Sequence, residues 1–163
     1  MRQKGFTLVE ILIVVIILAI LAGVVIPQFS SSTDEAKLAV LRSDLKSMRG
    51  AVELYYHQHN SVYPGGRTSN YGGHSTNDRW FVDQLTLYTD VRGEAVAVKD
   101  ATHKYGPYLK KGIPVNPFND LNTVLIDKMV TEVDNAAVDS GSAWKFYTLT
   151  GRLIANDGAH GNY

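Results

Sequence analysis

A long stretch of apolar residues near the N-terminus constrains this chain more than any other feature. Residues 6–26 read FTLVEILIVVIILAILAGVVI, a run of 21 residues that only Thr7, Glu10 and Gly23 interrupt. A helix of this length spans about 31 Å, which is close to the thickness of the hydrocarbon core of a bilayer. In lipid the backbone must hydrogen-bond to itself, which favours a helix despite the many β-branched residues. We therefore predict a transmembrane helix over residues 6–26 rather than a helix buried in a small core.

The flanking charges predict the orientation of this segment. Arg2 and Lys4 precede it with no acidic residue beside them. The positive-inside rule then places the N-terminus in the cytoplasm and the rest of the chain outside. Glu10 is the anomaly, because a carboxylate within an apolar span is costly and usually marks function. Two interpretations stay open: Glu10 lies at the interface near the positive end of the helix dipole, or a cation from elsewhere pairs with it.

The overall composition excludes several classes of function. Sixteen basic residues balance sixteen acidic ones, which argues against a basic nucleic-acid-binding protein. The chain has no cysteine, so disulfides, cysteine-ligated metal centres and thiol catalysis are excluded. We find no phosphate-binding loop, nucleophile elbow or zinc-protease motif, and we expect no enzyme. The five histidines, including His57 and His59 at the predicted end of a helix, are expected to be solvated.

One short motif resembles a known family. Lys4-Gly5-Phe6-Thr7-Leu8-Val9-Glu10, followed by the apolar run, resembles the signature of type IV prepilins, a class that includes type IV pilins and the pseudopilins of type II secretion. The resemblance implies that a membrane prepilin peptidase cuts between Gly5 and Phe6 and methylates the new Phe6 amine. It also implies that this ammonium meets the Glu10 carboxylate of a neighbouring subunit. Loss of the leader, residues 1–5, leaves 14 basic and 16 acidic residues, a net charge of −2.

The helix is predicted to continue beyond the apolar run. Pro27 closes that run, and we expect a kink there because helical periodicity resumes soon afterwards. Residues 27–58 form the amphipathic half of the same helix, with apolar residues at alternating steps of three and four. These are Leu38, Leu41, Leu45, Met48, Val52 and Tyr55. This stripe is expected to dock against a small sheet.

Residues 59–163 are predicted to form a globular α+β head outside the cytoplasm. Residues 59–79 are loop, and Asn77 or Asp78 caps a short helix that follows. The proline-rich residues 105–119 are extended, residues 123–133 form a strand or hairpin, and residues 143–155 form a hairpin around Thr150-Gly151. The expected fold is therefore α+β, with a long N-terminal helical stem packed on a small antiparallel sheet, as in type IV pilins.

The head also resembles the major pseudopilins and their close pilin relatives. The matching segments are YGPYLKKGIPVNPFND and WKFYTLTGRLIAND. Major pseudopilins often hold their C-terminal region with calcium, the only cofactor that the resemblance brings into consideration. Asp139, Asn156 and Asp157 offer oxygen ligands in that region, but the acid-rich loop typical of the site is absent. We therefore favour a plain turn at Asp157-Gly158 and no metal.

Together these features predict a non-enzymatic structural subunit of a type IV pilus-like filament. The resemblance favours the pseudopilus of a type II protein secretion system, with a type IV pilin for adhesion, twitching motility or DNA uptake as the alternative. Its implied partners are further copies bound through the N-terminal helices, prepilin peptidase, an inner-membrane assembly platform, minor pilins and membrane lipid. The subunit is expected in the inner membrane with a periplasmic head, and then in a filament in the periplasm or at the cell surface.

Overall fold

The computed structural model describes residues 5–66, 77–128 and 141–163, without the side chains of residues 22–32, 77 and 78. Its elements are α1 (Leu8–Gln58), α2 (Asn77–Thr86), β1 (Tyr88–Thr89), β2 (Ala95–Val96), β3 (Val124–Asp127), β4 (Trp144–Tyr147) and β5 (Arg152–Ala155). They fall into two compact units, Met1–Ala39 and Val40–Tyr163. The α+β class that the sequence predicts is confirmed.

The first unit contains the apolar part of α1, whose surface is uncovered. Every described side chain between residues 5 and 21 is exposed. Within the described part of the chain, no helix meets the length and apolarity needed to cross a membrane. The predicted membrane segment at residues 6–26 extends into residues 22–32, whose side chains lie outside the description. The same holds for the side chain of Pro27, and the kink there stays a prediction.

In the second unit, the amphipathic part of α1 supplies one wall of the core. Its predicted apolar stripe is buried from Leu41 onwards: Leu41, Leu45, Met48, Val52 and Tyr55 are each at most 2 % exposed. The helix ends at Gln58, as the periodicity predicts. Arg49 of this helix donates hydrogen bonds to the carbonyl oxygen of Leu153 in β5, so the helix packs directly beside the sheet.

The main sheet has the order β3-β4-β5 and is mixed, which corrects the prediction of a purely antiparallel sheet. β4 and β5 form the predicted antiparallel hairpin, with Trp144 opposite Ala155. β3 instead runs parallel to β4, with Val124 opposite Trp144. The physical reason is the length of chain between them. Residues 128–143 suffice for a crossover connection, which parallel strands require and a hairpin does not.

The turn between β4 and β5 depends on a glycine. Gly151 has a φ of +73°, a conformation that costs little only without a Cβ atom. A Cβ at this position would also collide with the aromatic ring of Tyr63. The hairpin tip is therefore packed against the segment that follows α1, and this contact positions β4 and β5 over the helix.

A second, smaller sheet is formed by β1 and β2, which the sequence does not predict. These strands have only two residues each and pair antiparallel, with Tyr88 opposite Val96. Tyr88, two residues after the end of the short helix, lies in β1. The helix itself is confirmed as α2, and it buries Phe81 and Leu85 completely. The side chains of its predicted caps, Asn77 and Asp78, lie outside the description.

Candidate functional site

The first candidate site is the N-terminal end of α1, where Thr7 and Glu10 form a reciprocal cap. Glu10 Oε2 accepts hydrogen bonds from the Thr7 backbone N at 2.8 Å and from the Thr7 hydroxyl at 2.7 Å. The Glu10 backbone N donates in return to Thr7 Oγ1 at 3.3 Å. This is a capping box, in which each residue satisfies a backbone donor that the first helical turn leaves free. The carboxylate is therefore fixed at the start of the helix, near the positive end of its dipole.

The residues of the predicted cleavage site lie just before this cap. Phe6 is 84 % exposed. Gly5 is exposed as well, and a Cβ built on it would meet no atom within 4 Å. The two residues on either side of the predicted cut are thus accessible. Cleavage between Gly5 and Phe6, methylation of Phe6 and pairing of Phe6 with Glu10 stay predictions.

Sequence reasoning missed the role of Thr7. The spacing Thr7-Leu8-Val9-Glu10 matches the S/T-x-x-E pattern that precedes many helices. This pattern predicts a cap formed by Thr7 and Glu10. The interpretation of Glu10 from its charge alone instead considers only the helix dipole and an external cation. Both roles are compatible, because a carboxylate has more acceptor positions than the cap uses.

The second candidate site is the C-terminal region, where the sequence offered oxygen ligands for a cation. Asp157 is 1 % exposed in its side chain and accepts four hydrogen bonds. Its Oδ1 accepts from the backbone N atoms of Ala159 at 3.0 Å and His160 at 2.9 Å. Its Oδ2 accepts from His160 Nδ1 at 3.0 Å and from Asn116 Nδ2 at 3.2 Å. We call these residues, Asn116, Asp157 and His160 with the Ala159 backbone, the Asp157 cluster.

The hydrogen bonds of Asp157 leave its carboxylate no acceptor position for a calcium ion, and the expectation of no metal in this region stays a prediction. A carboxylate offers about four acceptor positions, and protein donors fill all four at Asp157. Asn156 is fully buried, and its Nδ2 donates to Ser142 Oγ at 2.8 Å. Asp139, the third candidate ligand, lies outside the described residues. Over the described ranges, no group of three or more His, Asp or Glu side chains could hold a metal ion.

The same contacts set the charge state of Asp157. Burial raises the pKa of this carboxyl, but the hydrogen bonds from Ala159, His160 and Asn116 outweigh burial and hold the pKa below its ordinary value. Asp157 therefore stays ionised in the folded head. The ring of His160 also stacks on Phe118 at 3.9 Å, so the cluster connects the C-terminal segment to the loop after residue 115.

His59 corrects the expectation that the histidines are solvated. It is 1 % exposed and stacks on Tyr55, with ring centroids 3.7 Å apart. Its Nδ1 lies 2.8 Å from the Tyr55 carbonyl oxygen and its Nε2 lies 3.0 Å from Thr89 Oγ1. Both ring nitrogens are thus engaged in the core. The sequence could not predict this burial, because Thr89 is thirty residues away along the chain.

Comparison with known proteins identifies the N-terminal segment. Residues 1–26 match the family model of the prokaryotic N-terminal methylation motif. This chain carries the N-terminal motif of the type IV prepilin class. Over 33 % of its length it is 48 % identical to the type II secretion system core protein G of Pseudomonas aeruginosa, covering 38 % of that protein.

Other relatives extend the resemblance. The type II secretion system core protein G of Aeromonas hydrophila is 27 % identical over 82 % of this chain and 80 % of its own length. A fimbrial protein of Neisseria meningitidis is 39 % identical over 41 % of this chain and 39 % of its own length. The chain spans less than half the length of the first curated relatives that it matches. No solved structure matches the chain.

Proposed function

We propose that this protein is a structural subunit of a type IV pilus-like filament, specifically the pseudopilus of a type II secretion system. The observation that carries the proposal is the uncovered apolar surface of α1. Large apolar side chains between Phe6 and Leu21 are 50–84 % exposed, far more than an isolated soluble protein leaves in contact with water. Lipid covers this surface before assembly, and the helices of other copies cover it in the filament.

The N-terminal motif supports the processing step. In this proposal a prepilin peptidase cuts between the exposed residues Gly5 and Phe6 and methylates the new amine, which stays positively charged. Before cleavage the segment lies in the inner membrane with the head in the periplasm. An inner-membrane platform, with minor pilins, then extracts the subunit into the filament. The protein carries out no catalysis in this role.

Glu10 has a double role in the proposal. Its carboxylate caps α1 through Thr7 and, in the filament, also accepts the Phe6 ammonium of a neighbouring copy. Two opposite charges in a medium of low dielectric attract each other strongly, and each offsets the desolvation of the other. The names of the relatives favour the pseudopilus, since most of the similar proteins cited above are core protein G of type II secretion systems.

The test replaces the chromosomal gene and scores protein secretion and surface piliation separately. A deletion should abolish secretion, and the wild-type chain should restore it. Loss of piliation with normal secretion would instead support the adhesion, motility or DNA-uptake pilin. Mass spectrometry of the assembled protein should find an N-methylated Phe6 at the N-terminus, and an intact Arg2 and Lys4 there would contradict processing.

A matched pair of variants separates the two roles of Glu10. Glu10→Gln removes the charge but keeps an oxygen acceptor for Thr7, since glutamine also forms capping boxes. Glu10→Ala removes both. We expect both variants to insert in the membrane and both to assemble poorly. Assembly of Glu10→Gln at the wild-type yield, with poor assembly of Glu10→Ala, would show that the cap matters and the charge does not.

A further inference from the structure

One buried nitrogen atom in the head lacks a hydrogen-bond partner. Leaving exposed residues aside, His103 Nε2 is the only buried side-chain nitrogen or oxygen without such a partner in the part of the chain that the structure describes. The His103 side chain is only 12 % exposed, so the prediction that the histidines are solvated is wrong here too. A buried polar atom without a partner is costly and needs a physical reason, of which a bound ion is one.

The other ring nitrogen of His103 is held by a carboxylate. Nδ1 lies 2.8 Å from Asp100 Oδ2. The hydrogen bonds that Asp100 accepts from the His103 backbone, the His103 ring and the Thr102 backbone hold the pKa of this carboxyl below its ordinary value, so Asp100 is ionised. An ionised carboxylate only accepts, so Nδ1 donates and Nε2 of the neutral ring keeps a lone pair. A carboxylate placed behind the ring in this way is the usual partner of a metal-binding histidine.

A second donor faces this lone pair. Glu94 Oε2 lies 4.0 Å from His103 Nε2, which is too long for a hydrogen bond. Two such donors on one zinc ion lie about 2.0–2.2 Å from the metal, and at the tetrahedral angle they are about 3.4 Å apart. The Glu94 side chain is 48 % exposed, so it can swing through the remaining distance of about 0.6 Å. The two donors can therefore reach one ion without a change in the backbone.

Two turns, each organised by an aspartate, hold these donors. Asp90 Oδ1 accepts a hydrogen bond from the Glu94 backbone N at 2.8 Å, and the Asp90 backbone N donates to the Glu94 carbonyl oxygen at 3.0 Å. Asp100 Oδ1 accepts from the His103 backbone N at 2.7 Å. Each donor thus extends from a fixed backbone, and only the side chain of Glu94 has to move.

The smaller sheet brings the two turns together. Thr89 of β1 pairs with Ala95 of β2, the residue after Glu94. The Thr89 backbone N also donates to the Tyr105 carbonyl oxygen at 2.9 Å, and the Tyr105 backbone N donates back at 3.1 Å. Since Tyr105 follows His103 by two residues, a single residue of β1 positions the segments that carry both donors.

We propose that Glu94 and His103 bind one divalent transition-metal ion of the zinc type, with Asp100 as a positioning residue and water in the remaining coordination positions. A nitrogen donor together with a carboxylate oxygen suits Zn²⁺, whereas Ca²⁺ takes six to eight oxygen ligands. Asp100 does not contact the ion, because its Oδ2 accepts from Nδ1. The site has only two protein ligands, since no group of three or more such side chains could hold a metal in the described ranges.

The bound ion joins the turn between β1 and β2 to the turn before Tyr105. The chain has no cysteine with which a disulfide could form the same cross-link. Two protein ligands hold zinc less tightly than the four of a structural site, so the ion is taken up from solution and removed by a chelator. The inference goes beyond the filament and does not depend on it, because both ligands lie in the unit Val40–Tyr163.

Calorimetric titration of the full chain in detergent tests the site. The protein is first freed of metal with a chelator and dialysed, and zinc chloride is then added. We expect one ion to bind per chain at the tightest site, and Glu94→Gln and His103→Gln each to weaken that binding by about tenfold or more. His57→Gln is the matched control, because this histidine is exposed at the end of α1 and its removal should leave the affinity unchanged.

Asp100→Asn tests the positioning role. The substitution should lower the affinity for zinc by about 10–100-fold while one ion still binds. Nitrogen-15 spectra of the ring give a reading that a merely structural role would not change: zinc should shift the Nε2 resonance of His103 in the wild type and leave the proton on Nδ1. Millimolar calcium should not displace the zinc, because calcium requires more oxygen ligands than the site offers.

Several outcomes would overturn the site. A wild-type chain that takes up no zinc at millimolar concentration would do so. Equal affinities of the wild type and His103→Gln would mean adventitious binding at other histidines only. An unchanged affinity in Glu94→Gln would refute the pair of ligands, and equal tryptophan fluorescence of the metal-free proteins shows that each variant is folded. None of these results depends on secretion or piliation, so the proposed function is tested separately.

Discussion

The Asp157 cluster should make the head stable without calcium, and Asp157→Ala should show how much the cluster contributes. The substitution leaves four donors without their acceptor: two backbone N–H groups, His160 Nδ1 and Asn116 Nδ2. A buried donor left unsatisfied costs about 1–3 kcal/mol, and some of the four will find water. We therefore expect the free energy of unfolding to fall by about 3 kcal/mol, a large share of the stability of a small domain.

Tryptophan fluorescence can follow this unfolding in the full chain in detergent. Both tryptophans, Trp80 and Trp144, lie beyond the apolar run, so their signal reports the head. Trp144 is fully buried and donates to the Pro114 carbonyl oxygen at 2.9 Å, and it should respond strongly when the core opens. Asp120→Asn is the matched control, because it removes an exposed carboxylate from the adjacent loop.

Calcium and pH provide two further tests of the Asp157 cluster. Calcium or a chelator should leave the melting temperature of the wild-type head unchanged, since Asp157 has no free acceptor position. The pKa of Asp157 is lower in the folded head than in the unfolded chain. Its contribution is therefore complete above the unfolded pKa, near 4, and is lost as the pH falls through the folded value. A rise in melting temperature on adding calcium would refute this reasoning.

Substitutions at three other positions test the head. Arg49→Ala should lower the free energy of unfolding by about 1 kcal/mol through lost hydrogen bonds, and Arg49→Lys should recover only part because its single amine lacks the planar fork. Gly151→Ala should lower the free energy of unfolding by more than about 1 kcal/mol, because alanine is strained at this φ and its Cβ collides with the Tyr63 ring. Chemical denaturation measures this loss of stability. Phe81→Ala should lower the free energy of unfolding by about 3–5 kcal/mol, because Phe81 is fully buried against Phe146. Equal denaturation midpoints for this variant and the wild type would contradict this packing.

The sequence predicts those parts of the fold that local patterns encode. The apolar stripe from Leu41 to Tyr55 predicts both the helix and its buried face, because helical periodicity depends only on neighbouring turns. The β4–β5 hairpin follows from two strand-forming runs around Gly151. The direction of β3 is different, since a strand of four residues carries no information about the strand beside it.

The candidate sites divide in the same way. The cap between Thr7 and Glu10 could be predicted, because its two residues are three apart and match a known spacing. The Asp157 cluster could not, because Asn116 lies 41 residues from Asp157 and comes close only through the fold. The turn predicted at Asp157-Gly158 agrees with the hydrogen bonds that Asp157 accepts from Ala159 and His160. No local sequence pattern predicts the contact with Asn116.

The uncovered apolar surface of α1 has a thermodynamic consequence for assembly. Lipid tails are as apolar as leucine side chains, so moving the helix from the bilayer into a bundle of its copies exchanges one apolar environment for another. The hydrophobic effect holds the subunit in either place but hardly distinguishes between them. In the proposed filament, the direction and register of polymerisation would then depend on the few polar groups along α1 and on work done by the proposed assembly platform. Under the proposed function, a subunit built in this way would enter a filament and return to the membrane without exposing its apolar helix to water.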